Sequence, residues 1–376
     1  MRFKRNVLYS HVNLLNVLIC FNKELNRGVI MYKIGICGHF GNNKNLLNGQ
    51  TIKTKILTEE LEKQLGEDSI KTIDTYGWKR NPLLLLYKCY LLIKSCENII
   101  ILPASKGVKV FIPLFSKMNR IFHRKLHYVV IGGWLPKLLR SNLKLINGLK
   151  DFEGIYVETY SMVNALNKLG LNNVHYLPNF KQLNILDESE LVYSYKEPYK
   201  LCTFSRVMKE KGIEDAINAV NAINDSLEKT VFTLDIYGQI DRNYKERFEK
   251  IIEVSPNYIS YKGLVNYSDS VNVLKDYFVL LFPTHYQTEG IPGTIIDAYA
   301  AGVPVISSKW DSFDDIIEEG KTGFGYKLGN ISELINILNN LVEKPALISE
   351  MRINCLERAK EYEPEIVINN LLEFLC

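Results

Sequence analysis

Short apolar runs rich in β-branched residues recur along this chain, and helix-like stretches fill the intervals between them. In the first half they are Tyr32–Cys37, Ile99–Leu102, Tyr128–Ile131 and Gly154–Val157. In the second half they are Leu201–Phe204, Thr230–Tyr237, Tyr258–Lys262, Val279–Phe282 and Val303–Ser307. Lys53–Leu65, with its Glu59, Glu60 and Lys63 face, and Pro82–Lys94 are examples of the intervening helices; the Leu83–Leu92 run, interrupted by Lys88, reads as a core helix. Strand–helix–strand order makes neighbouring strands parallel and predicts an α/β fold. A chain of 376 residues is long enough for two cores. No close internal repeat or low-complexity tract interrupts it. The spacing predicts a domain over residues 31–180, closed by Leu177-Pro178-Asn179, a polar linker over 181–199, a second domain over 200–360, and a last helix over 361–376 with Pro364–Leu375 as its body.

The richest segment is Pro283–Ile306, PTHYQTEGIPGTIIDAYAAGVPVI. Glu289 is followed by Gly290 and Gly293, and a second acid, Asp297, comes eight positions after the first. Thr294 reads as an N-cap, and Gly302 suits the left-handed position just past a helix C-terminus. Glu289 then lies in the loop before a helix and Asp297 about one turn inside it. The two glycines leave the loop backbone bare to a ligand. The helix start offers unpaired N–H groups and a positive dipole end, which suit phosphate. Carboxylates on either side of a phosphate cradle make sense as acceptors for hydroxyls on a sugar and a ribose. A second segment points the same way. The apolar strand Lys200–Phe204 ends at Ser205, followed by Arg206 and then Lys211-Gly212. Arg binds two phosphate oxygens at once and Lys acts as a point charge, so the pair can stabilise a diphosphate as it leaves.

These two segments resemble retaining glycosyltransferases of the GT-B fold, the family-4 type known as glycosyl transferases group 1. The resemblance covers about residues 31–376; it is strong over 200–325 and loose before 180. It implies two Rossmann-like domains facing across a cleft, with the C-terminal helix crossing back to the first domain. It places Glu289 and Asp297 on the family's E-x7-E pattern, the first acid on the donor sugar and the second on the nucleotide ribose. This chain departs from the pattern with Asp at the second acid, one methylene short. The resemblance puts Arg206 and Lys211 on the donor diphosphate, and Gly290, Gly293 and Thr294 along the donor, the last two through backbone N–H groups. Gly38-His39-Phe40-Gly41 and Asn48-Gly49-Gln50 form a glycine-bearing loop after the first strand, where open α/β sheets bind ligands. It is not GxGxxG. In the family this loop closes over the donor, which assigns Gly41, Gly49 and Gln50 to donor binding.

Other residues carry less. Gly132-Gly133-Trp134 follows a strand and points into the expected cleft, but the donor-contacting His of many family members is missing there. His285 reads as structural and Ser161 as an N-cap. Tyr237-Gly238 ends a strand where the family often has a glycine near the nucleobase.

Composition fits a globular protein, with 47% hydrophobic and 23% charged residues. The seven Cys are scattered and odd in number, and the six His are dispersed. No CxxC, zinc spacing or DxD motif occurs. Reduced thiols in a cytoplasmic protein, no cofactor and no metal are the expectation. Residues 1–180 carry 26 Lys and Arg against 11 Asp and Glu, and the remainder 20 against 31. From Asn98 to Lys150 there are ten basic residues and no acid. Such a block is evidence about partners. Nucleic acid is not expected, because no reading helix or aromatic platform accompanies it. An anionic membrane face, or a lipid-diphosphate acceptor held there, fits better. Residues 1–30 form an arm too short and polar for a confident membrane span and without a signal-peptide cleavage site; the domain is expected to begin at Met31.

The combined expectation is a metal-independent, hexosyltransferase-type enzyme. It would move a sugar from a nucleotide-sugar to a hydroxyl of a glycan or lipid-linked acceptor, as in capsule, lipopolysaccharide or exopolysaccharide assembly, at the cytoplasmic face of the cell membrane. A non-catalytic GT-B-like scaffold subunit and a nucleotide-sugar epimerase are the alternatives.

Overall fold

The apolar runs become the strands of two parallel sheets. The computed structural model describes residues 31–41 and 49–375. The arm expected over residues 1–30, Asn48, Cys20 and Cys376 lie outside the described residues. The first sheet comprises β1 (Tyr32–Gly38), β2 (Ile70–Asp74), β3 (Cys96–Ile101), β4 (Lys125–Val129), β5 (Gly154–Val157) and β6 (Val174–Tyr176), in the order β2-β1-β3-β4-β5-β6. The second comprises β7 (Tyr199–Phe204), β8 (Phe232–Tyr237), β9 (Ile259–Gly263), β10 (Val279–Phe282), β11 (Val305–Lys309) and β12 (Gly323–Lys327), in the order β12-β11-β10-β7-β8-β9. Central strands are buried along nearly their whole length, β10 completely. That is why they read as continuous apolar runs. The strands that sequence analysis missed, β2, β6 and β12, all lie at sheet edges. Ile70–Asp74 is buried only at Ile70 and Ile73, and Gly323–Lys327 opens on glycine; neither shows the double-sided apolar signal.

By packing, one unit comprises the described residues up to Val129 together with Leu143–Ile155; the other comprises Val130–Asn142 and Tyr156 onward. The sheets divide in sequence between Tyr176 and Tyr199, whereas the packing division falls earlier. Within the second unit the helix Pro364–Leu375 sets Phe374 against His175 of β6 and Tyr156 of β5, with ring centroids 4.2 Å and 5.6 Å apart. The C-terminal helix therefore ends on strands of the first sheet. Residues 181–199 are not a bare linker. The Lys181 N–H donates to Tyr362 O at 3.1 Å and the Leu186 N–H to Ala300 O at 2.9 Å, and Leu186 and Leu191 are buried in the second core. Among the described residues, Cys37, Cys89, Cys96, Cys202 and Cys355 are free and buried, and no helix is long and apolar enough to cross a membrane.

Candidate functional site

In each sheet the strand order reverses at one place, between β1 and β3 in the first and between β7 and β10 in the second. Loops leaving the carboxyl ends of two such strands diverge and leave a crevice. The loop after β7 carries Arg206 and Lys211. The loop after β10 carries Glu289.

The second-sheet loops are tied together. The Lys211 ammonium is bonded to Glu289 Oε1, which also accepts from Thr284 Oγ1 at 3.1 Å. Both side chains of the pair are 16% exposed. Lys211 Nζ also lies 5.0 Å from the Phe282 ring centroid and 5.3 Å from that of Tyr286. Gly212 follows with φ 67°, and a Cβ there would fall 1.8 Å from the Pro283 carbonyl oxygen. Only glycine lets the two loops approach this closely. The His285 N–H donates to Glu210 O, and the His285 ring bonds Asp215 at 2.8 Å, so this histidine is structural, as its sequence context predicts. Arg206 is exposed and has no carboxylate partner among the described residues.

Sequence analysis missed Glu158. It is 2% exposed at the end of β5. Its Oε1 accepts the Gly132 N–H at 3.1 Å and its Oε2 the Ile291 N–H at 3.0 Å. A Cβ on Gly290 would lie 2.0 Å from Glu158 Oε2, and one on Gly133 would lie 2.6 Å from the Glu289 carbonyl oxygen. The expectation that Gly290 bares its backbone to a ligand is corrected: the protein's own carboxylate fills that space. Gly293 keeps an open side, with no atom of the described residues within 4 Å of its Cβ position. An acid at the end of an apolar strand was the only signal of Glu158 in the sequence.

The helix after Glu289 runs Gly293–Ala300, with Pro292 at its N-cap position and no side-chain cap bond. Thr294 is therefore not the cap; it lies in the first turn, and its buried hydroxyl has no partner among the described residues. Ser161 is likewise not a cap. Thr159 caps Tyr160–Asn167 by accepting from the Met162 N–H, and the Ser161 N–H donates to Asp315 at 2.8 Å. Gly302 is left-handed at φ 62°, as expected. Asp297 is 3% exposed, and both its oxygens bond the Lys181 ammonium. Burial pushes the Asp297 carboxyl up and the Lys181 ammonium down, and each charge opposes the shift of the other. Lys181 also lies 4.0 Å from the Tyr267 ring centroid. The shorter second acid of the motif thus has a cation of the protein as its partner.

In the other unit, Gly41 is buried with φ 85°, and Gln50 donates its amide to Leu102 O at 3.0 Å, joining the loops after β1 and β3. Gly49 opens the described part of the helix Gly49–Leu65, with no atom of the described residues within 4 Å of its Cβ position.

Two cavities of the second unit lie near these loops. One, of about 160 Å³, is lined by Phe204, Ser205, Tyr237, Gly238, Leu264 and Val265, at or just past the ends of β7, β8 and β9. The other, of about 200 Å³, lies beside Glu289, between the Gly133–Arg140 segment and the start of Tyr160–Asn167. Among the described residues no group of three His, Cys, Asp or Glu could hold a metal ion.

Residues 187–362 match the family described as glycosyl transferases group 1. The chain is 23% identical over 276 residues to the capsular polysaccharide biosynthesis glycosyltransferase CapM of Staphylococcus aureus, covering 72% of this chain and 66% of that one. It is 27% identical over 164 residues to an alpha-monoglucosyldiacylglycerol synthase of Acholeplasma laidlawii, covering 43% of this chain and 39% of that one. The chain thus spans less than two thirds of the length of these relatives. The structure of Anabaena HepE in complex with UDP and glucose superposes with a TM-score of 0.68 at 15% identity, over 91% of this chain and 98% of that one, a likeness of fold. Residues 187–362 are thus similar to the glycosyl transferases group 1 family, within a chain whose two six-stranded parallel sheets have the GT-B fold.

Proposed function

We propose that this protein is a retaining glycosyltransferase that takes its sugar from a nucleoside diphosphate sugar. The observation that carries this reading is the Lys211–Glu289 pair at the switch point of the second sheet, with Arg206 uncommitted on the same loop as Lys211. The diphosphate lies against Arg206, Lys211 and the open helix start at Gly293 and Thr294, whose N–H groups and dipole favour anions. Glu289 accepts from hydroxyls of the donor sugar. The apolar cavity between Phe204, Tyr237 and Leu264 suits a nucleobase. Gly41, Gly49 and Gln50 supply the donor-side loop of the first sheet. HepE, with UDP and glucose in its crystal structure, supports this ligand class.

In the reaction, the bond between the anomeric carbon and the β-phosphate oxygen breaks, and the nucleoside diphosphate departs with the electron pair. The acceptor hydroxyl oxygen bonds to the same face of that carbon, and its proton passes to the leaving phosphate. Arg206 and Lys211 neutralise the charge that grows on the leaving group, so the reading calls for no cofactor.

The acceptor is a glycan or lipid-linked glycan of cell-surface polysaccharide assembly, a reading supported by the likeness to CapM. The helix Ser105–Phe122 supports a place at the cytoplasmic face of an anionic membrane. Along one stripe it exposes Lys106, Lys109, Val110, Lys117, Arg120 and Ile121, and it carries no acid.

Thermal melting across a panel of nucleoside diphosphates and their sugars, with Arg206→Ala as control, tests the donor site. A ligand at 100 times its Kd adds about 2.7 kcal/mol. Stabilisation by one diphosphate, lost in the variant, is the expected result; no shift from any of them counts against it. The pairing of Asp297 with Lys181 favours a second reading, a GT-B-like scaffold subunit, which predicts full biological function in a folded Glu289→Ala variant.

A further inference from the structure

The cavity beside Glu289 contains more positive charge than a neutral sugar needs. Lys137 and Arg140 stand three residues apart on the helix Leu135–Arg140, a spacing that puts them on one face. Both line the cavity and both are exposed, and neither has an ion pair or hydrogen bond among the described residues. Ser161 lines the opposite wall from the first turn of Tyr160–Asn167, where the helix dipole favours an anion. Its hydroxyl has no partner among the described residues.

The acids around the cavity do not cancel these cations. Glu289 is matched by Lys211. The Asp315 carboxylate accepts the Ser161 N–H, and Glu158 accepts from Gly132 and Ile291. That leaves Asp311, which is exposed, against both Lys137 and Arg140. A neutral hexose would desolvate two cations without replacing their water by charge. An anionic oxygen group gives Arg140 a bidentate partner and Lys137 a point charge.

We infer that this cavity receives a negatively charged group, a carboxylate or a phosphate, carried by a sugar substrate at the Glu289 site. The inference rests on the reading that Glu289 contacts a sugar. The charge belongs either to the donor sugar or to the acceptor, and the same side chains would recognise it in both cases.

The test is calorimetric titration of the full chain, saturated with the nucleoside diphosphate found in the panel. The probes are methyl β-D-glucuronide, glucose 6-phosphate and methyl β-D-glucoside, against wild type and Lys137→Gln/Arg140→Gln. The anionic probes are expected to bind about tenfold more tightly than the glucoside, with the preference weakened by salt and lost in the double variant. Equal affinity for all three probes, or a preference that survives in the variant, overturns the inference. Nucleotide binding is read separately: if it is present and lost in Arg206→Ala while no anion preference exists, the donor reading stands and this one fails. If no nucleotide binds, the probes are titrated alone, and a preference lost in the double variant keeps the cavity assignment while the donor reading falls. Competition between the matching nucleotide-glucuronate and nucleotide-glucose separates the sources. A preference for the glucuronate that needs Arg140 puts the charge on the donor; a preference seen only with the methyl glycoside puts it on the acceptor.

Discussion

Glu158 Oε2 accepts the backbone N–H of Ile291 at 3.0 Å, joining positions 133 residues apart in the sequence. Its other oxygen holds Gly132. The loop that presents Glu289 is therefore positioned by a carboxylate that faces backbone. Glu158→Ala leaves two buried N–H groups unpaired, at about 1–3 kcal/mol each. Expected are a stability loss of about 2–4 kcal/mol by chemical denaturation and a fall in kcat larger than the change in nucleotide Kd. Glu158→Gln, with one acceptor left, should fall between the two.

The Lys211–Glu289 pair should behave as a unit. Glu289→Gln is expected to lower transfer about a hundredfold or more while the Tm holds. Lys211→Met should lower it comparably, and the double variant should lose much less than the product of the two effects. Simple multiplication of the rates would show that the two side chains act independently.

The buried Lys181–Asp297 pair gives a stability test. Lys181→Met leaves a carboxylate buried without its cation and should cost about 3–5 kcal/mol in urea unfolding. Lys181→Met/Asp297→Leu should recover most of that loss. If the nucleotide Kd of the double variant stays within about threefold of wild type, Asp297 has no part in ribose binding; a tenfold loss, about 1.4 kcal/mol, would assign it that role.

Arg247, with Tyr244, holds the Glu214 carboxyl below its ordinary value of 4.5 against the opposing effect of burial. A depressed carboxyl contributes stability above the unfolded-state value, and that contribution is lost as pH falls from about 4.5 through the lower folded value. Glu214→Gln should therefore be the less stable protein at neutral pH and show a shallower loss on acidification below pH 4.5. Parallel acid-unfolding curves for the two proteins would count against this assignment.

The stripe on Ser105–Phe122 should bind anionic vesicles in co-sedimentation. Each cation near the surface contributes about 1 kcal/mol, so Lys109→Glu/Lys117→Glu should weaken binding at least tenfold. Neutral vesicles should retain neither protein. Equal retention of both proteins on anionic vesicles would remove the membrane assignment.

Much of this was legible from residue order alone. Central strands announce themselves as double-sided apolar runs, which is why Val279–Phe282 is found with its bounds intact, and Pro364–Leu375 likewise. Lys211 and Glu289 fall near one another because each follows a strand beside the switch point. What sequence could not show is partnership across distance. Nothing near Asp297 signals that Lys181 will claim it, and nothing near Gly290 signals that Glu158 will fill its side. The Thr294 and Ser161 assignments failed because the chain turns into each helix earlier than its local polar residue, with Pro292 and Thr159 at the N-cap positions.

The packed segment between the sheets sets a rule for dissecting the chain. A fragment cut where the second sheet begins, at Tyr199, would lack Lys181, Leu186 and Leu191. It would leave Asp297 without its cation and strip the cover from Ala300. The excisable module is therefore longer than the sheet it contains, and any chimera that grafts this second sheet onto another protein's first sheet must take its crossover upstream of Lys181.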